Sequence, residues 1–301
     1  MIKALVIGYG SIGRRHARIL AELGCEVAVV SRRALENIKH FANITAAVEN
    51  VRPDYVVIAN ETSAHPATVD ALAAAGFRGK LLIEKPLGGA IPRHNFAMCA
   101  VAYNLRFHPA LMDLAAALAS ETILAMQVYC GQYLPDWRPG TDYEKSYSAD
   151  PKRGGGVLRD LSHELDYVLW LGGAWRRAAA IGGRFGELEI ATDDCWALLL
   201  ELERCRCATV QINYLDRPGR RQIVVNTRAH SFAVDFGQVA LMRDGEVQQF
   251  TVDRDETYRA QHRAMLAGDA SHLCGLTEGE DVMSLIAASE RAARNGAWVS
   301  A

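Results

Sequence analysis

The sequence predicts a doubly wound, parallel α/β domain followed by an α+β domain with a large, mostly antiparallel open sheet. In the first hundred residues, short apolar runs alternate with helical patterns, which is typical of βαβ units in a parallel sheet. From about residue 122 the pattern changes to successive strands, whose length and order favour antiparallel pairing. A chain of 301 residues can hold two such domains, and we place them at 1–105 and 106–301.

The first strand and helix enclose a glycine-rich turn. The apolar run IKALVIG leads into GYGSIG, and an apolar stripe at helical spacing follows. Gly8 permits a tight turn, Gly10 lets a pyrophosphate approach the backbone, and Gly13 lets helix and strand pack closely. A glycine turn in an unrelated βα unit is the alternative, but the strand–turn–helix context favours a dinucleotide cradle. The expected cofactor-binding residues here are Gly8, Tyr9, Gly10, Ser11, Ile12 and Gly13.

The second strand, EVAVV, ends at the triplet Ser31, Arg32 and Arg33. An NAD-binding domain usually places a carboxylate near this position to bind the ribose 2′-hydroxyl, and Ser31 cannot act as one. Two arginines can instead bind a 2′-phosphate through charge-assisted hydrogen bonds. We therefore expect NADP as the cofactor, with NAD possible if the two arginines are only solvated loop residues.

Two further strands are expected at 54–60 and 80–86, with a helix at 65–76 between them. The short stretch 87–102 has room for one brief helix containing Pro92. Ligands of doubly wound sheets bind beyond the carboxyl ends of the strands. The polar residues expected to border the cofactor at these ends are Asn60, Thr62, His65, Glu84 and Lys85.

The segment GGGVLRDLSHELD at 154–166 reads as a glycine-rich turn and a helix. At 100° per residue its leucines form one stripe, and Asp160 and His163 lie about 60° apart on the opposite side. Tyr167 and Trp170 fall on that side too, which favours a ligand pocket or a second interface over a solvated face. A merely polar helix face with a capping Asp is the alternative.

The chain resembles the Gfo/Idh/MocA family, the glucose–fructose oxidoreductase and inositol dehydrogenase group. The ordered motifs GYGSIGRRH, ETSAH, EKP, YNLRFHP, GGGVLRDLSHELD and WLGG carry the resemblance, together with the closing segment 276–299. It implies a Rossmann dinucleotide-binding domain, an α+β domain with an open sheet, and redox chemistry on a sugar-like alcohol.

The resemblance also implies that Lys85, Asp160 and His163 surround the reacting carbon, and that Glu84 places the lysine and the nicotinamide. Such a set suits the chemistry, since a histidine can accept or donate the proton and a lysine can stabilise charge on the oxygen. One departure is the interval of three residues between Asp160 and His163, where the family more often has four.

Substrate residues are expected in two segments, YNLRFHP and the loop at 133–153. Trp137 can stack on a sugar face, and Arg138 can hold a carboxylate or phosphate. A surface loop with solvated charges is the alternative. The full set expected to contact substrate is Tyr103, Arg106, Trp137, Arg138, Asp160 and His163. These segments resemble the family branch associated with bacterial surface-sugar biosynthesis.

Partners and location are bounded by composition. The formal net charge of −2 gives no bulk attraction to nucleic acid or to an anionic membrane, and no apolar run is long enough to span a bilayer. The chain starts at once with a strand, so we expect a cytoplasmic protein. The uncovered face of the open sheet predicts a homodimer or homotetramer through that face. The last helix, expected at about 278–294, can pack back on the first domain.

Two other functions are compatible with the same fold. A regulator that binds NAD(P) without catalysis would not need the lysine–aspartate–histidine set. A redox-neutral enzyme that retains its cofactor has the same sequence requirements as a dehydrogenase. The closest cysteine pair, Cys205 and Cys207, lacks metal-site spacing and would share one strand face, so no metal is expected.

Overall fold

The computed structural model describes residues 1–138 and 140–301, and these divide into two compact units. The first unit comprises residues 1–107 and 254–280, and the second unit comprises 108–253 and 281–301. In the part of the chain that the structure describes, every helix is too short or too polar to cross a lipid bilayer.

The strands are distributed over two sheets. In chain order they are β1 Lys3–Ile7, β2 Glu26–Val30, β3 Lys39–Phe41, β4 Tyr55–Ile58, β5 Lys80–Ile83, β6 Met98–Val101, β7 Ile123–Gly131, β8 Trp175–Gly183, β9 Cys195–Leu202, β10 Ala208–Asn213, β11 Arg220–Thr227, β12 Ser231–Asp235, β13 Ala240–Arg243, β14 Glu246–Gln249, β15 Cys274–Gly275 and β16 Val299–Ser300.

The α-helices lie between these strands and at the carboxyl end of the chain. They are α1 Ser11–Glu22, α2 Ile44–Val51, α3 His65–Ala74, α4 Pro109–Leu118, α5 Val157–Asp160, α6 His163–Gly172, α7 Glu256–Ala267 and α8 Leu276–Asn295.

The first unit is built on a seven-stranded sheet in the order β15-β6-β5-β4-β1-β2-β3. All of its pairings are parallel except that of β15 with β6. Every residue of β4 is buried, because a parallel sheet is covered by helices on both faces. The predicted α/β architecture is confirmed.

The second unit is built on a nine-stranded sheet in the order β14-β13-β12-β11-β7-β10-β9-β8-β16. Its pairings are antiparallel except that β10 runs parallel to β7. Along β9, Trp196, Leu198 and Leu200 are buried while Ala197 and Leu199 are exposed. This alternation leaves one face open, as the predicted mostly antiparallel open sheet requires.

Two local predictions are wrong. Residues 87–97 form no helix, and the chain continues into β6. A Cβ added at Gly88 would lie 1.8 Å from the carbonyl oxygen of Thr62, so this segment passes directly against neighbouring backbone. Cys205 and Cys207 lie in the turn after β9 instead of sharing a strand face, and only Cys205 is buried.

Candidate active site

The glycine turn after β1 is fixed by close backbone contacts. Gly8 has a φ of +95°, and an added Cβ would lie 2.6 Å from the carbonyl oxygen of Ala59. A Cβ on Gly13 would lie 2.0 Å from the carbonyl oxygen of Gly8, so both positions require glycine. Tyr9 and Ile12 pack partly against the core of the first unit.

The amino terminus of α1 is open for an anion. Helix α1 begins at Ser11, and Gly10 precedes it without any side-chain cap on the first amides. A Cβ built on Gly10 meets no atom within 4 Å. Because the first N–H groups of a helix attract phosphates, this turn fits the pyrophosphate of a dinucleotide.

The turn after β2 carries no carboxylate. The Ser31 hydroxyl accepts a hydrogen bond of 3.0 Å from the Arg33 amide, which shapes the turn. Arg32 and Arg33 are both exposed. The turn therefore presents two exposed cations and no carboxylate.

The ends of β4 and β5 hold the next group of predicted residues. The Asn60 side chain donates to the Thr68 hydroxyl at 2.8 Å, and His65 Nε2 lies 3.4 Å from the carbonyl oxygen of Asn60. His65 is buried, and its burial lowers the pKa of the ring. The backbone of Thr62 lies against Gly88.

Glu84 and Lys85 follow β5 directly. The Glu84 carboxylate is buried, and its Oε2 accepts a hydrogen bond of 3.2 Å from the Lys85 amide. Its Oε1 lies 2.7 Å from His16 Nε2 on α1. Lys85 itself is half-buried.

The three glycines before α5 are steric requirements of the second unit. Gly154 and Gly156 have φ angles of +85° and +117°. A Cβ on Gly155 would lie 2.2 Å from the Tyr147 carbonyl oxygen, and one on Gly156 would lie 2.2 Å from Oδ1 of Asp193. Asp193 in turn accepts a hydrogen bond from the Leu158 amide at 2.9 Å, which caps α5.

The predicted single helix through Asp160 and His163 is wrong. Helix α5 ends at Asp160, α6 begins at His163, and Leu161 and Ser162 turn the chain between them. The angle of 100° per residue applies only within one helix, so the 60° separation does not describe this pair. Both residues are half-buried, Asp160 at the end of α5 and His163 at the start of α6.

Tyr167 also differs from the prediction. It is fully buried, donates to Glu164 at 3.2 Å, and stacks on Phe236 with ring centroids 6.0 Å apart. Tyr167 therefore lies in the core of the second unit.

Two hydroxyl groups hold the Asp160 carboxylate. The Ser148 hydroxyl donates to Oδ2 at 2.5 Å, and the Tyr214 hydroxyl donates to the same oxygen at 2.6 Å. Burial, followed by the charge of Asp160, raises the pKa of Tyr214 well above its ordinary value, so the phenol remains a donor. Neither partner was predicted from the sequence, because they lie 12 and 54 positions away in a loop and after a strand.

A concave surface adjoins this carboxylate in the second unit. The Trp137 ring meets the Tyr214 ring edge-on, with centroids 5.2 Å apart. Trp137, Arg138 and Ser148 all line the same pocket, so Ser148 is shared between the pocket and Asp160. Both predicted loop residues, Trp137 and Arg138, thus line a pocket that is linked to Asp160 through Ser148.

Tyr103 and Arg106 are buried in the first unit. The Arg106 guanidinium donates to Glu278 at 2.7 Å and to the Leu273 carbonyl oxygen at 3.3 Å. An ion pair with so little exposure on the arginine ties the segment before α4 to the start of α8. These contacts indicate a structural role for Arg106.

Comparison with known families decides the broad class. A family model described as an oxidoreductase family with an NAD-binding Rossmann fold matches residues 2–102. A second model, the GFO/IDH/MocA C-terminal domain, matches residues 113–232. The chain belongs to the GFO/IDH/MocA family. The resemblance stated from the motifs is confirmed, and membership makes this chain an oxidoreductase with an NAD-binding domain.

Solved structures of the same fold align over nearly the whole chain. Levoglucosan dehydrogenase in complex with NADH has a TM-score of 0.84 at 16% identity, covering 99% of this chain and 98% of that one. UDP-N-acetylglucosamine 3-dehydrogenase GnnA from Acidithiobacillus ferrooxidans has a TM-score of 0.78 at 20% identity, covering 98% of each chain. The WlbA dehydrogenase from Bordetella pertussis, in complex with NADH and UDP-GlcNAcA, has a TM-score of 0.78 at 19% identity, covering 100% and 98%. Comparison with curated protein sequences gave no match.

Proposed function

We propose that this protein is an NADP-dependent oxidoreductase that transfers hydride between nicotinamide and a hydroxyl or keto carbon of a sugar, cyclitol or nucleotide-linked sugar. The observation that carries the proposal is the Asp160 carboxylate, fastened by Tyr214 and Ser148 beside a pocket lined by Trp137. A GFO/IDH/MocA chain that only sensed nucleotides would not need a carboxylate oriented in this way.

The NADP preference rests on the turn after β2. Arg32 and Arg33 are exposed where an NAD-specific domain would carry a carboxylate. Two of the solved structures named above, levoglucosan dehydrogenase and WlbA, are complexes with NADH, so NAD is the competing cofactor. Fluorescence titration should show tighter binding of NADPH than of NADH, and Arg32→Asp should reverse the order. Arg52→Asp, at another exposed position of the first unit, is the charge-matched control. Equal affinities in the unmodified protein would overturn the preference.

The proposed chemistry divides between three side chains. The nicotinamide, when bound, supplies or accepts the hydride. The His163 imidazole takes the proton from the substrate hydroxyl in oxidation, or returns it to the carbonyl oxygen in reduction. Asp160 orients this exchange, and the Lys85 ammonium stabilises negative charge on the substrate oxygen.

Lys85→Met tests this assignment. We expect cofactor binding to persist and turnover to be lost, because methionine keeps most of the side-chain length and removes the ammonium group. Lys39→Met, at an exposed lysine of the same unit, should retain both properties. Turnover at the unmodified rate in Lys85→Met would reject the role.

The substrate class rests on the side chains of Trp137 and Arg138 in the second unit. Trp137 offers an aromatic face for a sugar ring, and the exposed Arg138 offers a cation for a carboxylate or phosphate. The names of the solved relatives include a sugar anhydride and UDP-linked sugars, which agrees with this chemistry. A screen of sugars, keto sugars, inositols and nucleotide sugars, followed by NADPH fluorescence, tests the class. Substrate conversion without net change in free cofactor would point to a redox-neutral enzyme.

We also propose a homodimer or homotetramer through the open sheet face. The register aligns Leu199, Val224, Met242 and Val247 on one face across β9, β11, β13 and β14. All four side chains are exposed, although Thr209 and Gln127 lie between Leu199 and Val224 in this row. Exposed apolar side chains along one sheet face support a protein contact there. Light scattering should show a multiple of the chain mass, and Leu199→Arg should lower it. Phe185→Arg, at an exposed loop residue, should not.

A cytoplasmic location fits the state of the cysteines, since all seven are free thiols. Cell fractionation tests this location, and recovery from an oxidising compartment would contradict it.

A further inference from the structure

The Glu84 carboxylate is held at both oxygens in a nearly buried position. Its side chain is 11% exposed, and Oε1 lies 2.7 Å from Nε2 of His16, which is 0% exposed. Oε2 accepts from the Lys85 amide at 3.2 Å. A buried carboxylate is costly unless donors satisfy it, so these two contacts determine where the group points. The orientation of Glu84 is thereby coupled to the main chain of Lys85.

The contact to His16 is the end of a longer chain of hydrogen bonds. Nδ1 of His16 lies 2.8 Å from Nε2 of His262, and Nδ1 of His262 lies 2.9 Å from the Tyr55 hydroxyl. Both imidazoles are 0% exposed and Tyr55 is 1% exposed. The members come from α1, α7 and β4, so three separate elements of the first unit converge on one carboxylate.

The donors and acceptors fit one direction along this chain. Burial, the larger cause, holds the pKa of His262 well below its ordinary value, so one of its ring nitrogens donates and the other accepts. If Tyr55 donates to Nδ1 of His262, Nε2 of His262 donates to His16, and His16 donates to Glu84. The reverse direction would put protons on both nitrogens of His16 and require another acceptor for the buried Tyr55 hydroxyl.

We propose that Tyr55, His262 and His16 are positioning residues that orient the Glu84 carboxylate and, through it, Lys85. The inference rests on the proposed function of Lys85, but the hydrogen-bond chain itself is a property of the first unit alone. It gives a chemical reason for the return of the chain at 254–280 to this unit, because α7 supplies His262.

Other ionisable groups surround the chain and bear on its titration. The Tyr258 ring lies 5.7 Å from the His16 ring, and the Arg15 guanidinium lies 5.0 Å above Tyr258. Arg15 pairs with Asp255 at 3.4 Å. Two further groups interact electrostatically with members of the chain: His65 with Glu84 and Cys25 with Tyr55. The ring-nitrogen signals of the two histidines must therefore be assigned residue by residue.

Kinetics of two His262 variants separate positioning from stability. His262→Leu removes the donor to His16 and should lower kcat by about tenfold, the effect of losing one hydrogen bond in a charged network. The KM for cofactor should change less than kcat. His262→Gln can present an amide N–H near the former Nε2 and should recover most of the loss. Met265→Ala, at a buried residue of the same helix, should lower the melting temperature while kcat is retained.

A structural role alone would lower stability in all three variants and leave kcat unchanged, which would overturn the proposal. Nitrogen-15 NMR of the ring nitrogens provides a readout that does not depend on turnover. We expect His262 to be protonated at Nε2 and unprotonated at Nδ1, with a pKa below that of an ordinary imidazole. A His262 that titrates like an ordinary imidazole, or that carries its proton on Nδ1, would overturn the chain. If the chain is observed but no substrate is turned over, the proposed function fails instead.

Discussion

Removing the Tyr214 hydroxyl is a direct perturbation of the Asp160 carboxylate. Tyr214→Phe deletes the donor that lies 2.6 Å from Oδ2 and keeps the ring that meets Trp137 edge-on. A hydrogen bond to a charged group contributes about 1.5–3 kcal/mol, and the lower end applies because Asp160 is half-buried. About 1.5 kcal/mol corresponds to a decrease of about tenfold in kcat/KM.

The assay is steady-state kinetics with the substrate found by the screen, together with cofactor titration and thermal melting. Cofactor affinity should be unchanged, because Tyr214 and the glycine turn belong to different units. Tyr129→Phe is the matched control, since that hydroxyl donates to Asp216 at 2.9 Å in the same unit. An unchanged kcat/KM in Tyr214→Phe, or an equal loss in the control, would refute the reasoning. Combining Tyr214→Phe with Ser148→Ala should lower kcat/KM more than either change alone.

Three further outcomes are expected. Arg138→Ala should raise KM for an anionic substrate by about tenfold with little change in kcat, and steady-state kinetics would show whether kcat falls instead. Gly156→Ala should destabilise the fold by about 2 kcal/mol or more in denaturant melts, because φ is +117° and the Cβ would meet Asp193; a neutral effect would contradict the steric account. Burial, then Arg221, lowers the pKa of His108 to about 4 from 6.5, so the unfolded chain binds the extra proton first and stability falls as the pH drops through this window. Lowering the pH from about 7 to about 5 should lower the free energy of unfolding by about 2 kcal/mol through this group. Melts of His108→Leu should show a smaller loss of stability over the same pH change.

The order of elements in the first unit follows from local patterns. Apolar runs such as YVVI at Tyr55–Ile58 are buried on both faces, and the strand–glycine–helix order around Gly8 fixes the turn. Helix α7 spans Glu256–Ala267, and its periodicity is a property of the helix itself. Features of this kind depend on neighbours within a few residues.

The contacts that orient the site depend on distant parts of the chain. His16 lies on the buried face of α1, but its partner His262 lies 246 positions away. Tyr214 and Ser148 likewise meet Asp160 only through the folding of the second unit. The break at Leu161 and Ser162 has no strong breaker such as proline, so periodicity alone extends the helix through it.

The most direct test of the central claim is the transfer of label from cofactor to sugar. NADPH that carries deuterium at the transferable position of the nicotinamide is incubated with the protein and a panel of keto sugars and nucleotide-linked keto sugars. Mass spectrometry should find one deuterium on a sugar carbon with the unmodified protein, and none with Lys85→Met. Binding of NADPH without deuterium in any sugar of the panel would contradict the account.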